Sequence, residues 1–150
     1  MAEPLTDDQQ RAWRTFIESS WALHTHLEDD LRAQTGLSMN DYHVLVVLSE
    51  APGRRLRMGE LAGRLVFSPS RITYQINSMV KRGLVRKQPC PEDGRGQEAV
   101  LTDEGMTALE SAAPLHLVTV RDRFIDRLEP DELEVIARVF DKVSPGFSTK

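Results

Sequence analysis

Between residues 68 and 81 the chain gathers an unusual density of hydroxyls, amides and cations: Ser68, Ser70, Arg71, Thr73, Tyr74, Gln75, Asn77, Ser78 and Lys81. These groups supply hydrogen-bond donors and acceptors in quantity. Nothing in the chain resembles a nucleophile–base–orienter set, a Gly-rich phosphate loop or a supported pair of carboxylates, so an enzyme is not expected. The charge around this stretch points the same way. Ten basic residues lie from Arg54 to Arg95, against only Glu60, Glu92 and Asp93, a balance of +7. The whole chain carries −4, which leaves −11 for the remainder. A basic middle between acidic flanks implies one part that meets a polyanion and others that do not.

Other reactive side chains are sparse. The lone cysteine, Cys90, excludes a disulfide framework and any zinc site built on two or more thiolates. It lies between Pro89 and Pro91 near several arginines, and nearby cations lower a thiol pKa, so Cys90 is the one redox candidate. His24, His26, His43 and His116 form no i, i+4 pair and have no second acid–histidine cluster beside them, so neither a metal nor a cofactor is expected. Trp13, Phe16 and Trp21 read as core or dimer packing in preference to a ligand cage. If a small-molecule pocket exists, His43 with Trp13, Arg14 or His24 is the first choice for it.

The elements that must position these residues are mainly helical. Thr6 and Gln9 fit a capping box, and Trp13, Phe16, Ile17, Ser20, Leu23, Leu27 and Leu31 share one face of a helix over residues 6–34 that stops at Gly36. Residues 42–48 are β-branched enough for a strand, but Ser38 as a cap and the Pro52-Gly53 break favour a helix of about twelve residues. Met58, Leu61, Ala62, Leu65 and Val66 mark a short amphipathic helix. Ser68 then caps a helix with Pro69 at its first position, burying Ile72, Ile76, Met79 and Val80 and ending at Gly83. Two strands follow, residues 84–88 and 97–101, joined by a loop rich in turn formers. Thr102 opens a long helix to about residue 128, interrupted at Gly105 and bent at Pro114, and Pro130 starts a last one with Leu133, Ile136, Ala137 and Phe140 on one face.

A short helix, a tight connection, a second helix with a polar outer face and a hairpin is the winged helix-turn-helix order. The expected fold is therefore mainly α with a small β wing, six helices in all. The major groove of double-stranded DNA admits one helix, and its base edges need donors and acceptors on a rigid support. The apolar stripe of the second helix provides the support. Ser68, Ser70, Arg71, Thr73, Tyr74, Gln75 and Ser78 are then the candidate contacts. Arg95, at a Gly-flanked wing tip, suits a minor groove. Arg54, Arg55, Arg57, Arg86 and Lys87 suit phosphates, which give affinity without sequence information.

Residues 61–105 resemble the MarR (multiple-antibiotic-resistance regulator) family of bacterial transcription factors. The Leu61-Ala62…Leu65 helix, the Gly83-Leu84-Val85 exit, Asp93-Gly94-Arg95 and Leu101-Thr102-Asp103-Glu104-Gly105 fall in register without a gap, and the flanking helices keep the family's order. The resemblance implies a homodimer whose first and last two helices interleave. It also implies a small aromatic or anionic effector between dimer region and reading lobe, Asp93 as a brace for the wing, and Arg95 on DNA. Two positions depart from the pattern: Gly94 replaces the first of two wing-tip arginines, and Tyr74 stands where many relatives have arginine.

The chain is thus expected to be one MarR-like domain over residues 1–150. A DNA-reading lobe would span about 38–101, with dimerisation helices over about 6–35 and 102–146. The expected function is a ligand-responsive homodimeric repressor on a pseudo-palindromic operator. The alternatives are a winged-helix protein-interaction module and a constitutive DNA-binding regulator without an effector. No apolar stretch approaches the roughly 18 residues that span a bilayer. The Met1-Ala2-Glu3-Pro4 start has neither a basic n-region nor an apolar h-region, so a cytoplasmic, nucleoid-associated protein is expected.

Overall fold

The computed structural model describes residues 1, 3–92 and 94–144. Helix α1 (Asp7–Thr35) begins at the Thr6–Gln9 capping box and ends at Gly36 in the left-handed region. Helix α2 (Met39–Glu50) settles the ambiguity of its strand-like sequence. Ser38 Oγ accepts from the Asp41 amide at 3.0 Å, and the Asp41 carboxylate accepts from the Ser38 amide at 2.9 Å. Val44, Leu45 and Leu48 are fully buried, with Val46 and Val47 packed partly against the same core. A helix covered on most sides needs no polar face, which is why its sequence lacks amphipathic period.

A short turn (Pro52–Arg54) leads to β1 (Arg55–Arg57), then α3 (Met58–Leu65), α4 (Pro69–Lys81), β2 (Val85–Pro89) and β3 (Gln97–Leu101). The sheet is antiparallel in the order β1-β3-β2. Strand β1 was not expected. It is three residues long, with only Leu56 turned into the core opposite Ala99, too short for alternation to register. Two valines also fall outside their expected places. Val66 caps α3 in the left-handed region at φ 56° and is exposed. Val80 sits about 80° round α4 from Ile72, off the stripe that Ile72, Ile76 and Met79 bury.

Helix α5 (Asp103–Arg123) is capped by Thr102 and runs unbroken through Gly105 and Pro114, but it stops short of residue 128, giving way to a turn over Ile125–Arg127. Gly105 is not an interruption. The Thr102 amide donates to the Leu84 carbonyl at 3.2 Å, which draws the start of α5 onto the exit of α4. A Cβ at Gly105 would lie 2.1 Å from that same carbonyl oxygen. Close backbone approach requires the glycine here.

One core joins α2, α3, α4, the sheet and the first half of α5. Helix α6 (Pro130–Val143) stands apart from it. None of its residues is buried, and Val135, Val139, Phe140 and Val143 are exposed, as are Trp13 and Phe16 on α1 and Leu117 and Val118 on α5. The Phe16 and Phe140 rings meet at 5.2 Å between centroids, a contact that joins α6 to α1.

Gly105→Ala should be destabilising even though alanine is the better helix former. Forcing a methyl against a backbone oxygen that cannot swing aside is expected to cost about 1–3 kcal/mol. Denaturant unfolding measures this, and an unchanged midpoint would contradict the packing described.

Candidate nucleic-acid interface

The reading helix is built from its underside outward. Ile72, Ile76 and Met79 are buried at successive turns of α4, fixing which side faces away from the core. At 100° per residue the opposite side carries Ser70, Tyr74, Asn77 and Lys81. All four are exposed, Tyr74 to 79%. Ser68 Oγ caps the helix by accepting from the Arg71 amide at 3.2 Å, and it lies 3.2 Å from the Ser70 hydroxyl. The Arg71 guanidinium stacks on the Phe67 ring at 3.9 Å, an arrangement that steadies a long side chain while leaving its edge N–H groups outward. Thr73 Oγ1 donates back to the Pro69 carbonyl at 2.9 Å.

Two of the expected contacts are engaged elsewhere. Gln75 Nε2 donates to Asp41 Oδ1 at 2.6 Å, and Ser78 Oγ accepts from Arg82 Nη2 at 3.3 Å. Asp41, buried to 4% exposure, also receives both Nη atoms of Arg82, at 2.8 and 2.6 Å. Burial pushes the Asp41 carboxyl up, but the Arg82 hydrogen bonds and the Ser38 amide outweigh it and hold the group below its ordinary value. Its folded pKa being depressed, the stability it brings is present at neutral pH and lost as acid titrates it below the ordinary carboxylate range. Neither Asp41 nor Arg82 stood out in the sequence. The one available signal was Ser38-x-x-Asp41, a capping box ahead of an apolar run.

The wing is the β2–β3 hairpin. Its loop closes on Cys90, whose amide donates to the Gly96 carbonyl at 3.3 Å and whose carbonyl accepts from Gly94 N–H at 3.0 Å. Gly94 and Gly96 have positive φ and flank Arg95, which is exposed at the tip. Cys90 itself is buried at 3% exposure. Asp93, the expected brace, lies outside the described residues. Arg86 and Lys87 are exposed on β2, and Lys87 Nζ donates to Asn77 Oδ1 at 3.3 Å, tying wing to reading helix.

Ion pairs sort the basic window. Arg55 faces Glu98 at 3.8 Å, Arg57 faces Glu92 at 3.5 Å, and Arg82 is held by Asp41. All three cations have a carboxylate partner, although the Arg55 and Arg57 side chains remain substantially exposed. Arg54 is exposed just before β1, at φ 55°.

The residues nominated for an effector do not all come together. His43 lies within electrostatic range of His24 and of His116. Trp13 and Arg14 sit some ten residues earlier on α1, roughly 15 Å along the helix axis from His24. Trp13 instead approaches Phe16, with ring centroids 6.1 Å apart. The His116 ring lies tilted at 54° against Tyr42, with centroids 4.6 Å apart, and its Nδ1 is buried without a hydrogen-bond partner. Among the described residues, no group of three or more His, Cys, Asp or Glu side chains is placed to hold a metal ion, and no helix is long and apolar enough to cross a membrane.

Comparison with known proteins places this geometry. The sequence pattern of the MarR family matches residues 35–96. AbsC, a MarR family transcriptional regulator from Streptomyces coelicolor, is 42% identical, with a TM-score of 0.90 over 95% of this chain and 96% of that one. Sco3205, a MarR family regulator from the same organism solved in complex with DNA, is 38% identical, with a TM-score of 0.93 over 99% of this chain and 94% of that one. The transcriptional repressor YetL of Bacillus subtilis is 27% identical over 122 residues, 79% of this chain and 73% of its own. With reading helix, wing and flanking helices all in the same order, this chain belongs to the MarR family of transcriptional regulators.

Proposed function

We propose that this chain is a sequence-specific DNA-binding transcriptional regulator that acts as a homodimer. The observation that carries the reading is the polar ridge of α4, exposed along its length over a buried apolar stripe, with Arg95 exposed at the tip of the wing. Ser70, Arg71 and Tyr74, with the Ser68 cap and Thr73 on its flank, would meet base edges or the adjoining backbone in a major groove. Arg95 would enter the flanking minor groove. Arg54 and Arg86 would lie along phosphates. A repressor suits the likeness to YetL, and a DNA complex is known for Sco3205.

The dimer follows from surface chemistry. Exposed apolar side chains on α1, α5 and α6 form more greasy surface than a lone protomer keeps in water, and a second copy offers the same surface in return. In this reading residues 38–101 form the reading lobe, and residues 6–35 and 102–146 the dimerisation region, in a protein working in the cytoplasm. Two-fold symmetry then sets half-sites about one helical turn, roughly 10 bp, apart. A small aromatic or anionic effector would act between these regions, near His24 and His43, by favouring a dimer whose reading helices no longer match that spacing.

Fluorescence-anisotropy titration of duplex DNA tests the assignment. Arg95→Ala should lose about 1–3 kcal/mol of affinity for a bound site at fixed salt. An unchanged curve would remove the wing from the account. Arg86→Ala should weaken all sequences alike and flatten the dependence of log affinity on log salt by about one unit; altered base preference would show that it reads sequence. Phe140→Asp should shift sedimentation toward the monomer and lose DNA affinity with it. A variant that sediments as wild type would place the subunit contact elsewhere.

A further inference from the structure

Asp41 is the point at which α2 and α4 are tied. Its Oδ2 accepts from the Ser38 amide at 2.9 Å and from Arg82 Nη1 at 2.8 Å; its Oδ1 accepts from Gln75 Nε2 at 2.6 Å and from Arg82 Nη2 at 2.6 Å. Four donors fill the lone pairs of one ionised carboxylate, so the group has no spare valence for a ligand. The α4 partners are seven residues apart, two turns and roughly 10 Å, and lie on one flank of that helix. Two anchor points on one flank fix both the tilt of α4 and its rotation about its own axis. They act together with the close packing of Ile72, Ile76 and Met79, adding directed bonds to apolar contacts that are not directional.

The tie continues to α1. One residue after the Ser38 cap, the Met39 amide donates to Glu28 Oε2 at 2.6 Å, and Glu28 Oε1 accepts from Arg32. The start of α2 is therefore held by a carboxylate of α1 and itself holds α4 by a carboxylate. We infer that Asp41, Gln75 and Arg82 are positioning residues that set the angle of the reading helix and link it, through the Met39 amide and Glu28, to the arm that pairs the subunits. Gln75 then orients the helix from inside and does not read a base. The inference rests on the DNA-binding reading of α4, and one arm of its test is independent of DNA.

The full chain is used throughout, with the duplex that wild-type protein recovers from a random-sequence pool and an unrelated duplex as control. Asp41→Asn keeps the shape but removes the charge that holds Arg82. It should bind the recovered duplex about tenfold more weakly, the scale of a lost hydrogen bond to a charged group. Binding to the unrelated duplex and the salt dependence should stay as in wild type, since no phosphate contact is touched. Gln75→Ala, which leaves the ion pair in place, should bind less tightly by a smaller factor while recovering the same motif from the pool. Without DNA, both variants should exchange the amide hydrogens of residues 70–82 faster, with the wing strands unchanged.

A Gln75→Ala motif relaxed at one base pair would overturn the inference, because the amide would then be reading DNA. So would unchanged affinity of folded Asp41→Asn for the recovered duplex, or unchanged exchange along α4 in Gln75→Ala. If Asp41→Asn does not fold, the Gln75→Ala motif and exchange decide the matter. Wild-type protein that recovers no sequence would sink the DNA reading instead, and exchange along α4 would still judge the clamp.

Discussion

The underside of α4 is the constraint from which the rest of the molecule can be understood. A helix that reads duplex DNA must present a polar surface at a fixed angle, and a polar surface has no means of holding itself there. Here Ile72, Ile76 and Met79 are sunk into a core shared with Val44, Leu45 and Leu48 of α2 and Leu61 of α3. The same core reaches Ala99 and Leu101 of the wing strands, so reading helix and wing rest on one packed body. Close packing resists small displacements in a way that a loop-borne site does not. At the far end, the absent side chain of Gly105 lets α5 seat on the Leu84 carbonyl, coupling the exit of α4 to the helix that leads away from the lobe.

Charge is arranged with similar economy. The excess of cations across residues 54–95 is not spread evenly over the surface: Arg55 and Arg57 answer Glu98 and Glu92, and Arg82 is turned inward to Asp41. What remains outward on α4 and the wing includes Arg71, Lys81, Arg86 and Lys87, on or beside the face that the stripe leaves exposed. The acidic remainder of the chain lies largely on α1, α5 and α6, where a polyanion would be repelled. Segregation of this kind orients an approaching duplex before any base is touched.

Much of the fold was legible because local signals were redundant. Thr6 with Gln9, Ser68 with Pro69, and Thr102 each announce a helix start, and Gly36 and Gly83 announce the ends that precede α2 and β2. The polar ridge of α4 followed from its period alone. What was illegible depended on contacts distant in sequence. Strand β1 exists because Leu56 finds Ala99, forty-odd residues on, and three residues carry no pattern of their own. The bond from Gln75 to Asp41 was illegible because nothing local reveals that a carboxylate on α2 would claim its amide. Val80 is hydrophobic without being inward, since its angle on α4 carries it off the stripe that Ile72, Ile76 and Met79 bury. Gly105 looked like a weak point in a helix when it is a point of contact.

If a rigid apolar base presents one polar helix per subunit, twice, to the grooves of a duplex, the sequence it binds must share that symmetry. Selection of bound sequences from a random duplex pool by purified protein tests it most directly. The expected result is a two-fold symmetric motif whose halves are centred about 10 bp apart, one turn of B-DNA. Recovery of an unsymmetric motif, or of no enrichment at low salt, would contradict it.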